Sequence, residues 1–169
     1  MKMSKIQQLL NYQQYHDSTY HPDIYSRDVI DKLKHFCLHL TKYYTRLISM
    51  QVYSLQESNR YWIDTTLISL SMANTLNISI PDVNIQDGIE HNLEYSVLIN
   101  NRYGDTLYTI CKSLDAHDHI EDYNIRNNLN KAVRDMFILI QYFIFLSNNK
   151  DFEQLLKLRY ADITVKCLS

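Results

Sequence analysis

Glycine and proline are nearly missing from this chain: there are two of each in 169 residues. Antiparallel β architectures of this length need many tight turns, and those residues supply the dihedral angles for them. Their scarcity excludes a β-sandwich or barrel, and equally a glycine-rich phosphate loop. Charge of one sign is also lacking. Lys and Arg number 17 against 19 Asp and Glu, a formal net charge of -2. The basic excess of a typical nucleic-acid binder is therefore missing, and nucleic acid is not an expected partner. The three cysteines, Cys37, Cys111 and Cys167, are far apart and form no CxxC pair. Neither a disulfide framework nor a zinc knuckle is indicated. The longest apolar run, Met136 to Leu146, is interrupted by Gln141 and is too short to span a bilayer. The first residues, MKMSKIQQLLNYQQ, hold no apolar signal core. A cytoplasmic protein with no membrane segment is the expectation.

What is present is helical periodicity. Hydrophobic residues make up 46% of the chain and charged ones 21%, enough to close the core of one domain over 1–169. Ser4 can cap a helix to about Tyr15, followed by a connector over 16–25 that holds His21-Pro22-Asp23. Ser26 then opens a long helix to about Leu55, with Ile30, Leu33, Cys37, Leu40, Tyr44, Leu47 and Ile48 at three- and four-residue steps. Further helices are expected near 58–76, 85–100, 105–120, 125–146 and 151–166. The 125–146 segment is apolar on most faces after Asp135, which suggests a central, nearly enclosed helix. The fold class read from this is all-α. It is a bundle of five or six helices with a four-helix core built from two helical hairpins.

A faint internal repeat runs through the chain, over 26–82 and 104–167. Asp64 is followed by an apolar run ending at Leu76-Asn77, and Asp135 by one ending at Ser147-Asn148. Chance similarity between amphipathic helices accounts for this equally well.

The densest chemistry lies in Leu114-Asp115-Ala116-His117-Asp118-His119-Ile120-Glu121-Asp122. Residues three apart share a helical face, so Asp115, Asp118 and either Glu121 or Asp122 would line one stripe. Asp135 starts the apolar part of the next helix and could approach that stripe from an antiparallel neighbour. Several hard carboxylate oxygens converging in this way suit Mg2+, or Mn2+, which can bind a triphosphate and activate a water. A solvated acidic helix end is the plainer reading. It sits awkwardly with the helix dipole, which disfavours acids at a C-terminus.

These residues resemble the MazG-like all-α nucleoside triphosphate pyrophosphohydrolases. That family carries E-x-x-E on one helix and E-x-x-D on the next. Here Asp115-x-x-Asp118 and Ala132-x-x-Asp135 stand in those places, followed by an apolar helix, a short turn and a leucine-rich, then basic helix. The resemblance covers about 50 residues. It implies a nucleotide pyrophosphohydrolase, or a nucleotide-binding descendant of one. Asp115, Asp118 and Asp135 would then be metal ligands, with Asp118 and Asp135 catalytic, and Lys157 or Arg159 would contact phosphate. The sequence departs from the motif where Glu is replaced by Asp and where Ala132 replaces an acid. In the N-terminal half, His39-x-x-Lys42 and Tyr61-x-x-Asp64 occupy the corresponding places, and only Asp64 is an acid.

Two more features need an account. His35 and His39 lie four apart on one helical face and could chelate a transition metal with Asp64 as third ligand. Two partly buried, hydrogen-bonded histidines are the bland alternative. The 14 tyrosines combine apolar area with a polar tip, a composition common at interfaces. A non-catalytic helical module that binds a protein partner, or itself as a homo-oligomer, is accordingly the second expectation for function. Codon bias would explain the tyrosines without one.

Overall fold

The computed structural model of the protein describes residues 5–49, 55–80, 98–147 and 152–168. Among the described residues are seven α-helices, one π-helical turn and no strand, so the molecule is an all-α bundle. The helices are α1 (Lys5–Tyr20), α2 (Pro22–Tyr25), α3 (Val29–Ser49), α4 (Leu55–Leu76), α5 (Gly104–Asp118), α6 (Ile125–Leu146) and α7 (Phe152–Leu168). The π-helical turn spans Leu98–Tyr103 and leads directly into α5. Most of the helix expected near 85–100 falls outside the described residues, as do the expected caps Ser4 and Asp151. No helix among the described residues is long and apolar enough to cross a membrane.

Two boundaries differ from the sequence expectation for local reasons. The first helix runs on to Tyr20, and the connector shrinks to His21. Burial of Gln13 and His16 and hydrogen bonds to Asp17 hold the extra turn. His21, with φ -132° and ψ 50°, takes the non-helical conformation that a following proline demands. The long third helix begins after Asp28 rather than at Ser26. The Asp28 carboxylate accepts the Asp31 amide at 2.9 Å, which is an N-cap bond.

α4 is the most enclosed helix. It packs against α1, α3, α6 and α7. Its hydroxyl residues Thr65, Thr66, Ser69 and Ser71 are all buried. Burial of a hydroxyl is costly without a partner. Thr66, Ser69 and Ser71 each donate to the carbonyl four residues earlier, and Thr65 bonds the Tyr103 hydroxyl at 3.0 Å. The sequence had pointed to α6 as the central helix. α4 takes that place because its polar residues are short and can bond within their own helix.

α3 lies along α4 and α5 along α6, while α4 meets α6 and α3 meets α5. Where they converge, Trp62 and Phe143 are fully buried and stack at 4.8 Å between ring centroids. Such a pair contributes about 1 kcal/mol beyond the area it buries. Tyr103 also donates to the Leu40 carbonyl at 3.3 Å and stacks on Tyr44, pinning the π-helical turn to α3. Gly104 gives the Tyr44 ring room there. A Cβ at that position would stand 2.8 Å from the Tyr44 hydroxyl.

Candidate functional site

The acidic segment emerges at the C-terminal end of α5. Asp115, His119 and Glu121 each bring one ligand atom within 4.8 Å of the others, and all three residues are exposed. Lys112, one turn earlier on the same helix, already serves two of them. Its ammonium lies 3.3 Å from an Asp115 oxygen and 2.7 Å from a Glu121 oxygen. Asp118 pairs with Lys34 of α3 at 2.8 Å. That ammonium holds the Asp118 carboxyl below the usual carboxylate range. Asp122 is exposed.

Asp135 does not join this group. It pairs with Lys131, one turn back on α6, at 2.6 Å. With a rise of 1.5 Å per residue, it stands about 15 Å along α6 from Ile125, whereas Asp118 ends α5 beside the connecting loop. Asp118 and Asp135 are thus held by different lysines, one on α3 and one on α6. Asp115, His119 and Glu121 could hold a metal. One imidazole with two carboxylates is a donor set better suited to a borderline transition ion than to Mg2+, and the single charge of Lys112 is shared between the two acids.

The other half of the molecule contains a cavity of about 430 Å3, bounded by α1, α2, α3, α4 and α7. Its volume lies in the range of small-molecule sites. Four histidines line it: His16, His21, His35 and His39. Phe36, Tyr43, Leu67 and Ile68 supply apolar and aromatic wall, while Lys32 and Arg159 supply positive charge. Gln13, Asp17, Ser71 and Asn74 give its polar edge.

The two cavity acids are held by contacts that cross between helices. Asp17 accepts from Gln13 at 2.7 Å and from Ser71 of α4 at 2.6 Å. Tyr160 of α7 donates to Gln13 at 2.6 Å. Burial raises the Asp17 carboxyl above its ordinary value, against the effect of those two donors. Asp64 is 6% exposed and takes both bonds of an Arg159 fork, at 2.6 and 3.3 Å. A bidentate, largely buried pair of this kind fixes both side chains.

Burial biases three of them, His16, His35 and His39, towards the neutral form. Burial lowers His16 and His35, and it lowers His39 to about 4 with Lys42 and His35 adding repulsion. Lys42 lies 3.4 Å from His39 Nδ1. An ammonium only donates, so Nδ1 accepts and the ring proton sits on Nε2. The Tyr43 hydroxyl lies 3.2 Å from the same Nδ1. His16 is 2% exposed, and its Nδ1 has no hydrogen-bond partner among the described residues. The rings of His35 and His39 stand 4.7 Å apart. With Asp64 engaged by Arg159, His35, His39 and Asp64 do not gather three ligand atoms as closely as the α5 group does.

Of the basic residues assigned to phosphate, Arg159 lines the cavity, whereas Lys157 is exposed and lies near Glu153. His16, Asp17 and His21 were missed by sequence reasoning. They carry no motif, and the turn that presents them reads as a connector because of Pro22. Comparison of the chain with protein-family models, with curated proteins and with solved structures finds no match.

Proposed function

We propose that this protein is a nucleotide-binding helical bundle, the non-hydrolysing branch of what its pyrophosphohydrolase resemblance implies. The observation that carries this reading is the composition of the 430 Å3 cavity. Phe36, Tyr43 and neutral imidazoles offer flat surfaces for a heterocyclic base. Gln13 and Asn74 offer amide groups for its edge. Lys32, whose ammonium is 5.4 Å from the centre of the Tyr25 ring, offers charge to a phosphate. On the acidic side, Asp118 and Asp135 each pair with a lysine, and Asp115 and Glu121 share Lys112. That arrangement supports a reading in which the cavity binds its nucleotide without a divalent ion, and no hydrolytic step is assigned to it.

Calorimetry with a panel of ribo- and deoxynucleotides in EDTA tests the reading. Saturable binding of at least one nucleotide is expected, weakened about tenfold in Lys32→Ala, which is about 1.4 kcal/mol. Two results overturn it. One is no saturable binding up to millimolar nucleotide. The other is Mg2+-dependent pyrophosphate release that vanishes in Asp135→Ala, which would restore the hydrolase.

A further inference from the structure

Two of the three cysteines, 74 residues apart in sequence, meet in the interface between α3 and α5. Cys37 Sγ and Cys111 Sγ are 3.3 Å apart. Cys37 is buried and Cys111 is exposed. The contact sits on a supported stretch of the interface. Lys34 and Asp118 pair on one side of it, and the Tyr103 hydroxyl bonds the Leu40 carbonyl on the other. We propose that Cys37 and Cys111 form a redox-active dithiol that closes to an α3–α5 disulfide under a hydroperoxide. The inference does not rest on the nucleotide reading.

The chemistry follows from the asymmetry of the pair. Hydrogen bonding with Cys37 lowers the Cys111 thiol to about 7, while that same bond, with burial, pushes Cys37 up. The exposed sulfur is thus the one with thiolate character, and the thiolate is the nucleophile. Cys111 attacks one oxygen of hydrogen peroxide. The O–O bond breaks, Cys111 becomes a sulfenic acid, and hydroxide leaves to take a proton as water. Cys37 then attacks the Cys111 sulfur. The S–O bond breaks, and the departing hydroxyl takes the Cys37 proton as a second water. Two thiols and one peroxide give one disulfide and two waters. A disulfide bond measures about 2.05 Å, so the sulfurs need approach by little more than 1 Å.

The test uses the full chain carrying Cys167→Ser, which removes the remaining exposed thiol. After treatment with one equivalent of hydrogen peroxide, the intact mass is expected to fall by about 2 Da, as two thiol hydrogens are lost. Both thiols should resist labelling under denaturing conditions, a Cys37–Cys111 linked peptide should be found, and dithiothreitol should reverse all three. The oxidised protein should melt about 10 °C higher, because the crosslink closes a long loop. The Cys111→Ser/Cys167→Ser protein should show none of these changes. A mass gain on Cys111 with Cys37 still free to label, or a crosslink between molecules through Cys111, would overturn the proposal.

Discussion

At the end of α5, four acids fall within eight residues, and three of them are met by lysines at the water-exposed surface. In the cavity between α1, α3, α4 and α7, two acids come from different helices. One is held by amide and hydroxyl donors and the other by an arginine fork. The first region is dense in sequence and loose in space, the second sparse in sequence and tight in space. Exposed ion pairs contribute little, since each charge was already solvated. A buried ionised pair that loses one partner leaves a charge without solvent, which costs far more. Local density of charged residues is thus a poor guide to where this molecule commits its polar groups.

That contrast sets an order of expected effects. Arg159→Met should be the most damaging change, leaving Asp64 buried and unpaired at a cost of about 3 kcal/mol. Urea denaturation measures it. If the cost comes from the orphaned carboxylate, adding Asp64→Leu should recover much of the loss. A double variant as unstable as the single one would show that the arginine acts through packing instead.

Next in size is a pH effect from the cavity. Burial depresses His39 to about 4 and lowers His16 and His35, so the unfolded chain binds protons that the folded one refuses. Stability is therefore fully present above about pH 6.5 and falls as the pH drops towards 4. Asp17, raised by burial, has the opposite sign and offsets part of the loss near the bottom of that range. His39→Gln should flatten the decline by about 1–2 kcal/mol in denaturation measured at pH 7 and pH 4.5. An unchanged slope would place the acid sensitivity elsewhere.

Ile120 lies beside the acidic region with φ 56° and is 92% exposed. A β-branched residue is strained in that left-handed conformation, and here no packing offsets it. Ile120→Gly should therefore stabilise the protein by about 1 kcal/mol in thermal melts. The smallest effects belong to the acids themselves. Glu121→Gln and Asp135→Asn should leave the melting temperature unchanged with or without Mg2+. A metal-dependent rise in the native protein that Glu121→Gln abolishes would make the α5 end a true cation site.

The fold was legible because its information is periodic. Leu33, Cys37, Leu40 and Leu47 are spaced as a buried helical face must be, and they are buried. Tyr43 rather than Tyr44 is buried, and Ile48 is on the surface, because the face drifts around so long a helix. The site was less legible because it is assembled from separate elements. His35, His39, Asp64 and Arg159 were each singled out for reasons of spacing or resemblance, and all four line one cavity. Their common location depends on α7 packing against α4, which no local pattern encodes. Cys37 and Cys111 were set aside for lack of a short motif, yet they touch across two helices.

One spectrum distinguishes the two regions directly. The protein with 15N-labelled histidine rings is titrated with nucleotide, first in EDTA and then in excess Mg2+. This account predicts that His16, His21, His35 and His39 shift in EDTA, while His117 and His119 stay in place throughout. Movement of His117 and His119 alone, and only once Mg2+ is added, would contradict it.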